Sequence, residues 1–504
     1  MLKTTSFKLA KVATLLTSYA YVGTVLAAQT QAAPVVSATP MTQSNVVKKV
    51  KLTNEQLLLE KQAIADKLVA ERKAEDERLN AEQQERSEQR LTDIIGTQPL
   101  QFKSAVAKIY TQNDYVLLWE DKKAEKQFLR DYAALVASGV SRQSAQNLDR
   151  IYKSENQDPL VRDILLTDAF LDYLFYSKNA LNSAQRWLYS SNAYKANEPK
   201  EQDIQAWLSA VKNNQNSAFI SQLSGKNHLY RQTLHQLEAL IVSGNADRKQ
   251  IYKLAINTQR LRILPEFTNG IFVNIPSYQL NYYRDGKVVL NSRVIVGKQA
   301  RKTPVMYSKL SNVVVNPPWT PTTRLINEDL VPKIKRDPGY VARHGYTITD
   351  GSGRTIDPHS INWAAIGSKF PYRIRQAPGD SALGNYKFNM PSSDAIYLHD
   401  TPNHSLFGKK DRALSSGCIR VQQSDQLATI LLKEAGWSED RKRKVLSSKK
   451  TTSANIRSSN PVYLYYVTAW IDGGKTYTLP DIYGYDSMPN LSYINWNAVR
   501  KYIM

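Results

Sequence analysis

FVNIPSYQLNYYRDGKVVLNSRVIV, residues 272–296, is where the chain changes period. Phe272-Val273-Asn274-Ile275 is strand-like, Tyr278 to Tyr283 alternates, Asp285-Gly286 supplies a two-residue hairpin turn, and Lys287 to Val296 runs on as a second strand. Everything upstream, from about Leu100 to Leu261, keeps helical spacing instead: Phe102, Val106, Ile109 and Tyr110; Phe128, Tyr132, Leu135 and Val136; Ile164, Leu165, Ala169, Phe170, Tyr173 and Leu174. The fold class expected is therefore α+β, a helical N-terminal half followed by a mainly β domain.

Working outward, Val313-Val314-Val315 ends at Asn316-Pro317-Pro318-Trp319, and Tyr386 to Asn389 and Ala395 to His399 read as further strands. Between them, residues 324–379 are polar and punctuated by Pro and Gly, with one helical piece near Asn327 to Lys335. They are expected to form a lid inserted over one end of the sheet. After Cys418, Ser424 is placed to cap a helix through Leu427, Ile430 and Leu431 that stops at Gly436. Val462 to Ile471 is a last β segment, turning at Asp472-Gly473-Gly474. The boundaries expected are a helical scaffold domain at 97–262, a β domain at 268–447 and a C-terminal β extension at 448–504.

At the other end, residues 1–33 read as a secretory signal: Lys3, Lys8 and Lys11, an apolar stretch from Val12 to Leu26, then small residues at Ala27, Ala28, Ala32 and Ala33. Export to the periplasm is the expectation, an uncleaved inner-membrane anchor the alternative. Residues 34–50 look like a flexible linker. Thr53-x-x-Gln56 is a capping-box pattern opening a helix over 51–95, whose thin apolar stripe (Leu57, Ile64, Leu68, Leu79) fits an exposed helix or weak coiled coil. The 504 residues carry a formal charge of +22. Nucleic acid is the usual partner for such a balance, but an exported basic chain meets anionic envelope polymers instead.

The chain has one cysteine, so no internal disulfide is available, and an exported lone thiol is a core residue, an intermolecular partner or a reactive group. Its surroundings favour reactivity. Tyr397-Leu398-His399-Asp400-Thr401-Pro402 precedes Ser415-Ser416-Gly417-Cys418-Ile419-Arg420 by a loop that lets the two meet on adjacent strands. His399 can take the thiol proton, Gly417 allows close approach of substrate, and backbone N–H groups around Gly417 and Cys418 are natural oxyanion donors. Tyr397 and Trp319 are read as site-wall or core aromatics, and Arg420 as a surface cation or as a holder of the turn or of a substrate carboxylate. A metal site from His399 with Asp400 and His404, or from His228 and His235, lacks the further ligands it would need.

His399 and the Ser415-to-Arg420 segment resemble the signature of the L,D-transpeptidases, the YkuD-fold family, in which a His precedes a Ser/Thr-His-Gly-Cys element by under twenty residues. The resemblance is nearest to the large periplasmic YcbB type. Arg301-Lys302-Thr303-Pro304, Asn316-Pro317-Pro318-Trp319, Arg375-Gln376-x-Pro378-Gly379 with Ala382-Leu383-Gly384, and Tyr397-to-Pro402 look like its hallmarks. Leu166-Thr167-Asp168-Ala169-Phe170 looks like that type's scaffold domain. Ser416 stands where many relatives carry His, which leaves His399 as the base. No peptidoglycan-binding module lies between Ile241 and Tyr252, where that type usually has one.

The resemblance implies that Cys418 attacks the third residue of a tetrapeptide donor stem and expels D-Ala. The meso-diaminopimelate amine of a second stem then resolves the thioester, giving a 3→3 crosslink. His399 acts as base and then acid, Tyr397, Ser416, Arg420 and Trp319 contact substrate, and neither metal nor organic cofactor takes part. Carbapenems are expected to acylate Cys418. Water as acceptor would make an L,D-carboxypeptidase, and a lipoprotein-linked stem a releasing amidase. An inert envelope scaffold is the non-enzymatic alternative, and the helical region is a candidate platform for cell-wall synthesis proteins.

Overall fold

The computed structural model describes residues 54–504 apart from 191–193 and 457–459. The stretches read as a signal and a linker, and Thr53 of the capping box, lie outside these residues. Two units are present, residues 1–78 and 79–504. In the first, the described part of helix α1 (Asn54–Ile95) leaves Leu58, Leu59, Ile64, Leu68 and Val69 exposed, beside the i,i+4 pairs Lys67–Glu71 and Lys73–Glu77. No helix among the described residues is long and apolar enough to cross a membrane.

In the second unit α1 continues, Leu91 and Ile95 are buried, and helices α2 (Lys103–Gln112), α3 (Lys122–Ala137), α4 (Arg142–Lys153), α5 (Pro159–Trp187), α6 (Glu201–Lys212), α7 (Asn216–Leu223), α8 (His228–Ser243) and α9 (Arg248–Arg262) follow. The residues marked by helical spacing are all buried. Local signals start the helices: Asp121 accepts the Lys123 and Ala124 N–H groups, Ser141 that of Ser144, and Asn227 that of Tyr230. Along α5, buried Asp163 accepts the N–H groups of Leu118 and Trp119, and buried Asp168 those of Gln101 and Phe102. Burial raises the Asp168 carboxyl to about 6, the cost of using a carboxylate as an internal staple.

The β domain is one sheet of eleven strands among the described residues. Its strands are β1 (Gly270–Asn274), β2 (Gln279–Arg284), β3 (Lys287–Gly297), β4 (Met306–Lys309) and β5 (Asn312–Val315). After the lid strands β6 (Tyr346–Thr349) and β7 (Arg373–Gln376) come β8 (Tyr386–Asn389), β9 (Leu398–His399), β10 (Ala413–Ser415), β11 (Ile419–Val421), β12 (Thr452–Asn455) and β13 (Pro461–Tyr465). The order is β12-β5-β8-β9-β11-β3-β2-β1-β13-β4, with β10 also on β3. The hairpin between β2 and β3 turns at Asp285 (φ 50°) and Gly286 (φ 75°), as the Asp-Gly pair predicts.

Four local readings change. The strand expected from Ala395 shrinks to Leu398–His399, because Ala395 takes a left-handed φ of 53°. Ser424 does not cap its helix (Ser424–Glu434): Gln423 is the cap residue, and the Ser424 hydroxyl donates to Asp400 at 2.8 Å. The segment Val462 to Ile471 is two strands, β13 inside the main sheet and β14 (Ala469–Asp472), which pairs with β15 (Lys475–Thr478) against α8. Of residues 448–504, then, β12 and β13 are strands of the main sheet. The lid residues form their own small core around Ile334, Ile348, Phe370 and Ile374, with β6 and β7 paired over it.

The tail after β13 fastens the sheet to the helices. Helix Trp496–Tyr502 packs on α3, α4 and α8. Arg260 on α9 is fully buried and donates to Asp486 at 2.6 Å, to the Tyr485 carbonyl at 2.6 Å and to the Leu188 carbonyl at 3.2 Å. Removing one side of a buried ion pair strands the other, so Arg260→Ala is expected to cost about 3–5 kcal/mol in urea unfolding. A cost below about 1 kcal/mol would show that the clamp carries little, since that is the worth of an exposed pair.

Candidate active site

Parallel pairing of β9 with β11 places Leu398 opposite Ile419 and His399 opposite Arg420, and the Ile419 N–H donates to the Tyr397 carbonyl at 3.1 Å. Leu398 and Ile419 are both fully buried. By strand alternation Tyr397, His399, Cys418 and Arg420 share the other face. Tyr397, not His399, is therefore the residue across from Cys418. These four, with Trp319, Ser416 and Gly417, line one cleft of about 1250 Å³ between the sheet and the lid. Every residue singled out in the sequence for the site meets there.

His399 is buried, and its Nδ1 lies 2.5 Å from the Asp400 carbonyl. A carbonyl only accepts, so Nδ1 carries the hydrogen and Nε2 the lone pair. The expected hydrogen bond between His399 and Cys418 is not made. The half-buried thiol instead donates to the Ala395 carbonyl at 3.7 Å, with the Tyr397 hydroxyl beside it and Trp319 bonded to that hydroxyl. The register is the reason: His399 is one pair further along the face.

Burial, then the nearby Arg420 charge, pushes the His399 imidazole down to about 3, and burial pushes the Cys418 thiol up. The resting pair is a neutral thiol and a neutral imidazole rather than the anionic sulfur anticipated. Two cations face it. Lys387 lies 4.2 Å over the Tyr397 ring, and Arg420 has no hydrogen-bond partner at Nε; burial pushes both down. A charge that develops negative at this point would be stabilised by both.

Asp400 is a brace. Its carboxylate accepts the Asn385 N–H at 2.8 Å and the Ser424 hydroxyl, with His404 at 3.6 Å, and its backbone carbonyl holds His399. His228 and His235 lie on α8, facing Asp472 and Glu238 respectively. Gly417 has a left-handed φ of 120°, and its N–H is already donated to Ser415 Oγ at 3.1 Å, while the Cys418 N–H has no acceptor among the described residues. Arg301 was quoted in the sequence only as part of a motif. Its guanidinium donates to Ser416 Oγ at 2.9 Å, and also to Glu328 at 2.6 Å and to Asp329 in the lid. One side chain therefore joins the lid to the turn that carries Cys418. Lys387 and the Ala395 carbonyl carried no sequence signal, since a strand lysine is ordinarily a solvated one.

Comparison with known proteins agrees with this architecture. Residues 268–452 match the family model of the L,D-transpeptidase catalytic domain, and residues 104–237 match a scaffold domain. A Haemophilus influenzae protein named "Putative L,D-transpeptidase" is 61% identical over 413 residues, covering 82% of this chain and 84% of its own. Solved structures with similarity include an L,D-transpeptidase from Mycobacterium smegmatis (13% identity, 38% of this chain and 57% of that one, TM-score 0.19). Another is L,D-transpeptidase 1 of Mycobacterium tuberculosis (12% identity, 38% and 59%, TM-score 0.14). The helical scaffold and the mainly β domain, with a cysteine and a histidine in its cleft, are those of an L,D-transpeptidase-type enzyme. The chain belongs to the L,D-transpeptidase family.

Gly384 tests the brace. Its φ is +62°, and a Cβ there would stand 2.4 Å from Asp400 Oδ2. Gly384→Ala is expected to lower stability by about 1–3 kcal/mol, the cost of a strained left-handed residue. It should also slow acylation of Cys418; a variant with unchanged melting temperature would show that Asp400 is free to move.

Proposed function

We propose that the chain is a peptidoglycan L,D-transpeptidase that forms 3→3 crosslinks through a thioester on Cys418. The observation that carries this reading is the shared face of β9 and β11. There a thiol and an imidazole with its Nε2 lone pair unengaged stand one register step apart, beside a free backbone N–H and under two unpaired-to-carboxylate cations. For the transfer to begin, the Cys418 side chain must turn away from the Ala395 carbonyl and bring its thiol to Nε2.

His399 then accepts the thiol proton while Sγ bonds to the carbonyl of the third stem residue. The carbonyl oxygen becomes an oxyanion held by the Cys418 N–H. Collapse breaks the peptide bond, the imidazolium hands its proton to the departing D-Ala amine, and a thioester remains. The diaminopimelate amine of a second stem attacks it, His399 takes that proton and returns it to the leaving sulfur, and the neutral pair is restored. Substrate stems carry carboxylates, and the cleft offers Arg420, Lys298, Lys302 and Arg324. A carboxylate resting against Arg420 also cancels the charge that helps hold His399 low, so binding itself makes the imidazole a better base. Secretion on residues 1–33 would bring the enzyme to this substrate in the periplasm.

The test is mass spectrometry of purified muropeptides incubated with the protein. Tetrapeptide dimers joined 3→3 and absent with Cys418→Ala support transfer; tripeptide monomers alone would replace it with L,D-carboxypeptidase activity, and a protein inert on every stem would favour the scaffold alternative. Arg420→Met is expected to raise KM by about tenfold or more, the worth of a lost charged hydrogen bond, with kcat less affected. An unchanged KM removes the carboxylate role.

The pH profile follows from the imidazole. Because its folded value lies near 3, the neutral base persists as pH falls through the ordinary histidine range, and protonation takes it away only well below. The rate of Cys418 acylation by a carbapenem is therefore expected to show no inflection at about pH 6.5, the value of a free imidazole. An inflection there would mean that His399 titrates as an exposed histidine.

A further inference from the structure

Thr303 and Tyr483 lie outside the residues that contact the thiol, yet both are buried beneath its turn. Thr303 Oγ1 donates to the Gly417 carbonyl at 2.7 Å and accepts the Gly297 N–H at 2.8 Å. The Thr303 N–H donates to the Tyr483 hydroxyl at 3.0 Å, and that hydroxyl donates to the Gly297 carbonyl at 2.6 Å. The Tyr483 N–H in turn donates to the Tyr466 hydroxyl at 3.0 Å, and Tyr466 donates to Asp481 at 2.5 Å.

The Gly417 carbonyl and the Cys418 N–H belong to one peptide plane. In a trans peptide the two bonds point in opposite directions and cannot turn independently. Whatever holds that carbonyl aims that N–H. Gly417 makes the grip necessary, because a glycine at φ +120° has no Cβ to limit its rotation, and its neighbour Ser415 is committed to the Gly417 N–H and the Cys418 carbonyl. The Cys418 N–H itself donates to nothing among the described residues.

We propose that Thr303, held by Tyr483 from the C-terminal tail, is the positioning residue that points the Cys418 N–H at the oxyanion of the acyl-transfer step. The proposal rests on the reading of Cys418 as nucleophile. It adds that the strength of the oxyanion hole is set by a hydroxyl on the far side of the turn, and through Tyr483 by the segment after β15.

Two reactions of the same sulfur separate this role from general damage. Carbapenem acylation passes through an oxyanion, whereas alkylation by iodoacetamide displaces iodide at a saturated carbon and forms none. In the full chain, Thr303→Val is expected to slow acylation by about 100-fold, the usual effect of losing one oxyanion donor, and to leave alkylation within about twofold. Thr303→Ser should restore most of the acylation rate. Tyr483→Phe, which keeps the threonine hydroxyl but releases it, should fall between.

Acylation of Thr303→Val at the wild-type rate, or equal loss of both reactions, overturns the positioning role. Should Thr303→Val fail to fold, Tyr483→Phe decides on the same two rates, and a wild-type acylation rate there overturns it equally. Wild-type protein that is alkylated on Cys418 but never acylated would instead sink the nucleophile reading.

Discussion

Ile419 pairs with Leu398 in parallel, and the site follows from that register. Slipping β9 by one residue would turn His399 into the core and bring Leu398 to the cleft, because side chains alternate with a period of two. Both strands are short, two residues and three. Little pairing of their own fixes them, so neighbours must. β8 holds β9 from one side through Lys387 and Phe388, and β3 holds β11 from the other through Val294 and Ile295. β3 is eleven residues long and serves three partners in turn, β2 along its first part, then β11, then β10. The long central strand is what holds two very short ones in register.

The electrostatic state of the cleft follows from the same burial. A neutral imidazole, a neutral thiol and two partly desolvated cations form a site that is short of negative charge. Such a site is quiet when empty and favours any step that creates an anion. Arg301 extends this economy to the lid: its guanidinium neutralises Glu328 and Asp329 while reaching Ser416, so the lid brings its own acids to a cleft that would otherwise be more positive. Asp329 is held below the usual carboxylate range by that contact.

The sequence made the two halves plain because each obeys one period: 3.6 for the buried helix faces, 2 for β1 to β3. The site residues were legible for a different reason, the chemical rarity of one thiol with a histidine nineteen residues upstream. What escaped is what depends on partners distant in the chain. The strands β4, β6, β7, β10, β11 and β12 are three or four residues long and carry no alternation to read. Ser424 looked like a cap because the residue type suits caps, but Asp400, twenty-four residues earlier, takes its hydroxyl. Tyr483 lies among many tyrosines, and nothing local distinguishes the one whose hydroxyl reaches Gly297. The distance between the thiol and the imidazole was equally hidden, since a loop length says that two strands can meet and not which residues end up opposite.

The place of β13 in the sheet has a consequence for how the chain is made. β1 is hydrogen-bonded to β2 on one edge and to β13 on the other, across nearly two hundred residues of intervening sequence. The helical half likewise receives its last packing layer from Trp496–Tyr502. Both cores take residues from beyond position 460, and contacts closed over such a span form slowly. Folding of either half waits on elements far along the chain, and without β13 the sheet would present open edges at β1 and β4.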